Sequence, residues 1–159
     1  AGPDATVYAI STVQEEVGLQ GAKMVGFDLE PDVVIATDVT HATDAPGTPS
    51  GEKNGIELGD GPVVTRGSAN HPRVVEAVRE VAADADIDVQ LQAAGSRTGT
   101  DADAFYTSRG GIPSLNLGVP NRYMHTPVEV LDLDDLDATA TLLGAFAATA
   151  HEFEFAVDL

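Results

Sequence analysis

The chain has no cysteine and no tryptophan, only two lysines (Lys23 and Lys53), and aromatic side chains make up 5% of its 159 residues. Missing thiols exclude a disulfide scaffold and any zinc site built on thiolates. Basic charge is scarce as well. Against 26 Asp plus Glu stand 8 Lys plus Arg, a net charge of −18, which repels nucleic-acid phosphates and anionic membranes alike. Neither nucleic acid nor membrane is therefore expected as a partner. No apolar run approaches the ~20 residues of a membrane span; the longest, Leu142 to Ala150, is interrupted by Gly144. The opening Ala1-Gly2-Pro3-Asp4 lacks the basic start and apolar stretch of a signal peptide.

What is present suits one folded domain. With 43% apolar and 21% charged residues, the chain has material for a core and is not of disordered composition. Asp (16) outnumbers Glu (10) while lysine is depleted. A dense shell of short carboxylates stays hydrated where salt screens ordinary surfaces. The composition reads as that of a cytoplasmic protein from a salt-rich cell, an ordinary acidic protein being the alternative.

Apolar runs alternating with helical periods predict an α/β fold, a three-layer α/β/α sandwich around a mostly parallel mixed sheet. Strands are expected at Thr6–Thr12, Val33–Ala36, Pro62–Thr65, Ile87–Leu91 and Ile112–Val119. Helices are expected over Val17–Leu29, from Pro72 onward, at about Asp101–Ser108, and from Asp132 past Ala150. The Pro72 helix presents Val74, Val78, Val81, Ala82 and Ala85 on one face; the last presents Leu136, Ala140, Leu143, Ala147 and Ala150. The glycine- and proline-rich stretch Thr40–Gly61 reads as loop with at most one short strand.

Three places could carry chemistry. Glu15-Glu16 follows the first expected strand, where open α/β sheets place their sites; alone, the pair is equally a solvated strand end. Asp38 ends the second strand and is a metal ligand, a helix cap or an acid in a wet loop. His125 follows the buried strand in a proline-bounded loop, as a ligand or a structural histidine. Together they deliver carboxylates and one imidazole, without sulfur, to one sheet edge, a donor set that suits Zn²⁺, Co²⁺ or Mn²⁺. Adjacent glutamates can divide the work, one binding metal while the other takes a proton from metal-bound water. The remaining histidines read as structural: His41, His71 at a helix cap, and His151. Arg109 and Arg122 read as ion-pair partners.

The ordered set of Thr12–Ala22, Ala36–Thr40 with Asp44–Gly47, Gly99–Ala102 and Arg122–Glu129 resembles the TET-type aminopeptidases. These are also called deblocking or glutamyl aminopeptidases, a family of dinuclear metallopeptidases. The resemblance covers nearly the whole chain. It implies an aminopeptidase that removes N-terminal residues from peptides through a hydroxide bridging two divalent ions, zinc or cobalt. Glu15 would be the general base, Glu16 and His125 ligands of one ion, and Asp38 a ligand of the second. Thr100 and Asp101 would shape the substrate pocket, and the family's homo-oligomeric, dodecameric shell would be shared. The family's site also uses a histidine and a bridging aspartate upstream of the Glu-Glu pair, with a small inserted domain between them. Only fourteen residues precede Glu15, so residues 1–159 read as one domain, the C-terminal portion of a catalytic domain without its upstream portion and inserted domain. Three of five ligands leave partial or no metal occupancy, and near-inactivity of this chain alone is expected. Other readings are a non-catalytic folded fragment or assembly module, and a glycoside hydrolase. The last would need two carboxyls ~5–9.5 Å apart across a sugar.

Overall fold

A computed structural model describes residues 3–48 and 54–156. The elements run α1 (Gln20–Leu29), β1 (Val34–His41), β2 (Val63–Arg66), α2 (Pro72–Asp84), β3 (Gln90–Ala93), α3 (Ala102–Phe105), β4 (Ser114–Asn121) and α4 (Leu133–Thr149). A 3-10 turn, Ala150–Glu152, follows α4. The four strands form one mixed sheet in the order β1-β4-β2-β3. β1 runs parallel to β4 and β2 parallel to β3, while β2 and β4 are antiparallel.

β4 is buried at all eight positions, as a central strand covered on both faces must be. Alternation then sends Leu115 and Leu117 to one face, where they join Val64, Val74, Val78, Leu142 and Phe146 beneath α2 and α4. On the other face α1 and α3 pack together, and Ala22, Ala104, Phe105 and Ile112 make a smaller core. Helices thus cover both faces of the sheet, and the expected three-layer α/β/α sandwich is what the chain forms. Among the described residues no helix is long and apolar enough to cross a membrane.

Several expectations need correction. Thr6–Thr12 is not a strand. Its apolar pattern is real, yet Val7, Tyr8 and Ile10 are exposed, and no strand of the described sheet lies beside it to form a ladder. The first helix begins at Gln20 rather than Val17, because Gln14 and Leu19 take left-handed φ of 61° and 60°, which no α-helix contains. The strand holding Asp38 continues to His41, in register with β4 from Val34↔Ser114 to His41↔Asn121; Asp38 is interior, not terminal. The strand expected at Ile87–Leu91 forms at Gln90–Ala93, and the Asp101–Ser108 helix shortens to the single turn of α3. Part of the Thr40–Gly61 loop, residues 49–53, lies outside the described residues.

The last helix starts as expected, Asp132 accepting from the Asp134 N–H as N-cap, but it ends at Thr149 ahead of the 3-10 turn, and its stripe is displaced by one residue. Asp135, Thr139, Leu142 and Phe146 are buried, while Leu136 is exposed. The cause is Asp135. Its carboxylate accepts from the Gly59 and Gly61 N–H groups, each at 2.8 Å, so a charged residue occupies the inner face. His71 sits at the N-cap position of α2 but makes no side-chain cap bond; burial holds its imidazole below the ordinary histidine range.

Candidate active site

Glu15 and Glu16 stand in a turn at the head of α1. The Glu15 carbonyl accepts from the Gly18 and Leu19 N–H groups, at 3.2 and 3.1 Å, and Gly21 N–H donates to the Val13 carbonyl at 3.0 Å. Only glycine permits this approach, since a Cβ at Gly21 would lie 2.6 Å from the Val13 nitrogen. Asp38 reaches the same place from β1, its carboxylate accepting from the Val39 N–H at 2.7 Å. His125 comes from the loop after β4, which the Arg122–Val130 backbone pair closes. Its Nε2 is 3.7 Å from Glu16 Oε1.

The four expected residues therefore share one electrostatic field. Burial pushes the Glu15 carboxyl above its ordinary range, and Asp38, Glu16 and Asp101 push it further, with His125 opposing. Burial likewise raises Asp38, against the Val39 N–H, with Glu16 and Asp101 adding to the rise. Asp101 is tied to the segment carrying Glu15 by a hydrogen bond from Thr12 Oγ1. Thr100 is buried and its hydroxyl is engaged by Thr98 Oγ1 at 3.0 Å and by the Ala102 N–H at 3.3 Å, so its side chain serves its own loop.

Three further acids have roles that the sequence does not assign, although Asp44 and Glu129 lie in its motif stretches and Asp103 beside Asp101 invites a calcium-loop reading that the missing glycine and closing glutamate rule out. Asp103 is buried and accepts from the Thr98 N–H and hydroxyl and from the Gly99 N–H, at 2.8 to 3.0 Å, fixing the loop that carries Asp101. Asp44 takes both guanidinium arms of Arg122 at 2.7 and 2.6 Å, which holds its carboxyl below the ordinary range. Glu129 accepts from the His125 N–H at 2.9 Å. Each sits near glycine or beside an expected site residue, but a carboxylate serving backbone N–H groups has no signature in a single sequence. Arg122 and Arg109 pair with Asp44 and Glu30 respectively, as expected.

Carboxylates and an imidazole fit a divalent cation in donor chemistry. They fit in part geometrically. Glu16 and His125 make a two-donor pair, and among the described residues no three His, Asp or Glu side chains gather closely enough to hold an ion.

A mixed sheet between helices, with acids and a histidine converging beside β1 and β4, defines an α/β domain with a candidate site beside those two parallel strands. The model of the M42 glutamyl aminopeptidase family matches residues 2–142, and the chain belongs to that family. It is 36% identical over 154 residues to the lysyl aminopeptidase of Pyrococcus furiosus, covering 96% of this chain and 43% of that protein. To the glutamyl aminopeptidase of Lactococcus lactis it is 33% identical, covering 92% of this chain and 40% of that one. An aminopeptidase structure from Desulfurococcus kamchatkensis superposes with a TM-score of 0.79 at 39% identity, over 87% of this chain and 40% of that one. The Pyrococcus horikoshii TET peptidase, described as assembling into a tetrahedron or a large octahedral shell, superposes with a TM-score of 0.71 at 33% identity, over 86% and 39%. The chain thus spans about two-fifths of the length of these relatives.

Proposed function

We propose that this chain carries part of the catalytic machinery of a metal-dependent aminopeptidase acting on the free amino ends of peptides. The observation that carries the proposal is the convergence of Glu15, Glu16, Asp38 and His125 in one field, at the family's motif positions. Glu15 accepts a proton from the attacking water; its raised pKa keeps it a base of useful strength nearer neutral pH. Glu16 and His125 hold one divalent ion, zinc or cobalt, and Asp38 contributes to a second. Bound divalent ions would polarise the scissile carbonyl and acidify water. Asp101 and the loop carrying Thr100 border the substrate.

The remaining ligands, on this proposal, belong to the part of the relatives that the chain does not cover, and residues 1–159 are one domain, the C-terminal portion of a catalytic domain. Low turnover of this chain alone follows; cytoplasmic residence at high salt is proposed from the acidic, lysine-poor composition, and homo-oligomeric assembly of the complete enzyme from its likeness to the shell-forming TET peptidase.

The test measures hydrolysis of leucine and glutamate anilides with Co²⁺ or Zn²⁺ at high salt, for this chain and for a version carrying the upstream portion. The longer version should exceed the shorter by orders of magnitude, and E15Q within it should lose roughly 10²–10⁴-fold of kcat. Equal turnover in the two lengths, or full activity in E15Q, would sink the assignment. Cellulose should be inert in both; its hydrolysis would favour the glycosidase alternative.

A further inference from the structure

We propose that Glu129 is a positioning residue, whose carboxylate holds the loop after β4 in the shape that sets the His125 imidazole against Glu16. The inference deepens the site described above and rests on it only in treating that imidazole as a metal ligand.

The loop is costly to hold in place. Tyr123 and His125 both have φ of 63°, a left-handed region disfavoured for residues bearing a side chain. The His125 side chain is 68% exposed, so packing does not fix it. What holds its backbone in that shape is polar. The Arg122 N–H donates to the Val130 carbonyl at 2.8 Å and the Val130 N–H returns to Arg122 at 3.1 Å, closing the neck. Across the enclosed turn, Glu129 Oε1 accepts from the His125 N–H at 2.9 Å, and Oε2 accepts from Asn121 Nδ2 at 2.8 Å.

Asn121 gives the clamp its anchor. It is 3% exposed at the end of β4, and its carbonyl accepts from the Ala42 N–H at 2.9 Å. The Glu129 carboxylate therefore spans from the sheet to the backbone of the residue whose ring meets Glu16. Both of its partners are N–H donors, so both positions must be acceptors. A glutamine has one acceptor and would turn its own NH₂ toward a donor. Changing a partner that orients a metal-binding histidine typically costs roughly 10–100-fold in metal affinity.

NMR on the metal-free chain decides the matter, because the clamp exists without an ion. Wild type should show a nuclear Overhauser contact between the His125 ring and the Glu16 side chain, and slowed exchange of the His125 amide proton. In E129A the contact should vanish and the amide exchange at least about fivefold faster, with a melting temperature lowered by no more than several degrees, because Glu129 is itself exposed and only the Asn121 Nδ2 donor is left buried without it. If E129A melts far below wild type, E129Q decides by the same two signals. Persistence of contact and protection in the variant, or absence of the contact in wild type, overturns the proposal. A Co²⁺ titration read by visible absorption then separates the two ideas. E129Q should bind roughly 10–100-fold more weakly, with H125A as reference. Equal binding by H125A and wild type would remove the ligand role of His125 and leave the NMR result standing on its own.

Discussion

Asp38 and Glu15 have carboxyl groups raised by burial and by neighbouring acids, and a raised acid has a defined effect on stability. Its charged form is disfavoured by the fold, so the stability it contributes is complete below the unfolded pKa of ~3.9 for Asp and is lost as pH rises through the folded value. D38N removes that loss while keeping an oxygen for the Val39 N–H. In EDTA, D38N should melt with wild type near pH 3.5 and a few degrees above it at pH 7–8. The gap must open upward from ~4. A gap that is constant, or that closes as pH rises, would show that Asp38 is not strained as a charge. At this scale Glu15, Glu16, Asp38 and His125 were legible because their motifs keep order along the chain. The roles of Glu129, Asp103 and Asp44 were not, although Asp44 and Glu129 lie in the same motifs. Their work is to receive N–H groups or a guanidinium from residues four to 78 positions away, and sequence alone does not pair a carboxylate with a particular donor.

Elements place these residues, and two glycines test how. At Gly21 a Cβ would fall 2.6 and 2.7 Å from the Val13 nitrogen and oxygen, backbone atoms that cannot turn aside. G21A should push α1 off the Glu15 turn and cost roughly 1–3 kcal/mol, seen as a lower urea midpoint with unchanged slope. Gly144 is the opposite case: it is exposed within α4 and has nothing within 4 Å of its Cβ position. G144A should gain about 0.5–1 kcal/mol. If G21A left stability unchanged or raised it, the close approach of α1 to Val13 would be wrong; a loss in G144A would overturn only the open setting of Gly144. α2 and β4 were readable from periodicity, since Val74, Val78, Val81 and Ala82 and every position of β4 are buried where the pattern says, while Ala85 lies past the helix end and is exposed. Two failures are instructive. α4 turned by one residue because buried Asp135 caps a glycine loop, and polarity had marked it as surface. Thr6–Thr12 has a strand's composition but exposed side chains and no ladder, and pairing is a property of neighbours rather than of the segment.

Across the whole molecule, −18 charges on 159 residues repel one another, and the described surface shows where. Asp60, Asp86, Asp88 and Asp134 border a single cleft between the β3 approach and the start of α4. Asp86 has φ of 55° just beyond the last turn of α2, where a negative charge opposes the helix dipole. The Debye length falls from ~30 Å at 0.01 M salt to ~10 Å at 0.1 M and ~3 Å at 1 M. Repulsion across such a cleft is therefore largely unscreened in dilute buffer and largely gone in molar KCl. Melting temperature should climb by several degrees from 0.01 to 1 M KCl, most steeply at the low end. The triple variant D86N/D88N/D134N should melt higher than wild type at 0.01 M and lose part of the slope, because it removes charge without removing packing. Asparagine tolerates the left-handed backbone at position 86, so the substitution adds no strain there. Were the wild-type profile flat, the acidic surface would not be an adaptation to salt. Were it steep but identical in the triple variant, the stabilisation by salt would come from elsewhere than this cleft, through strengthened apolar burial rather than screened charge.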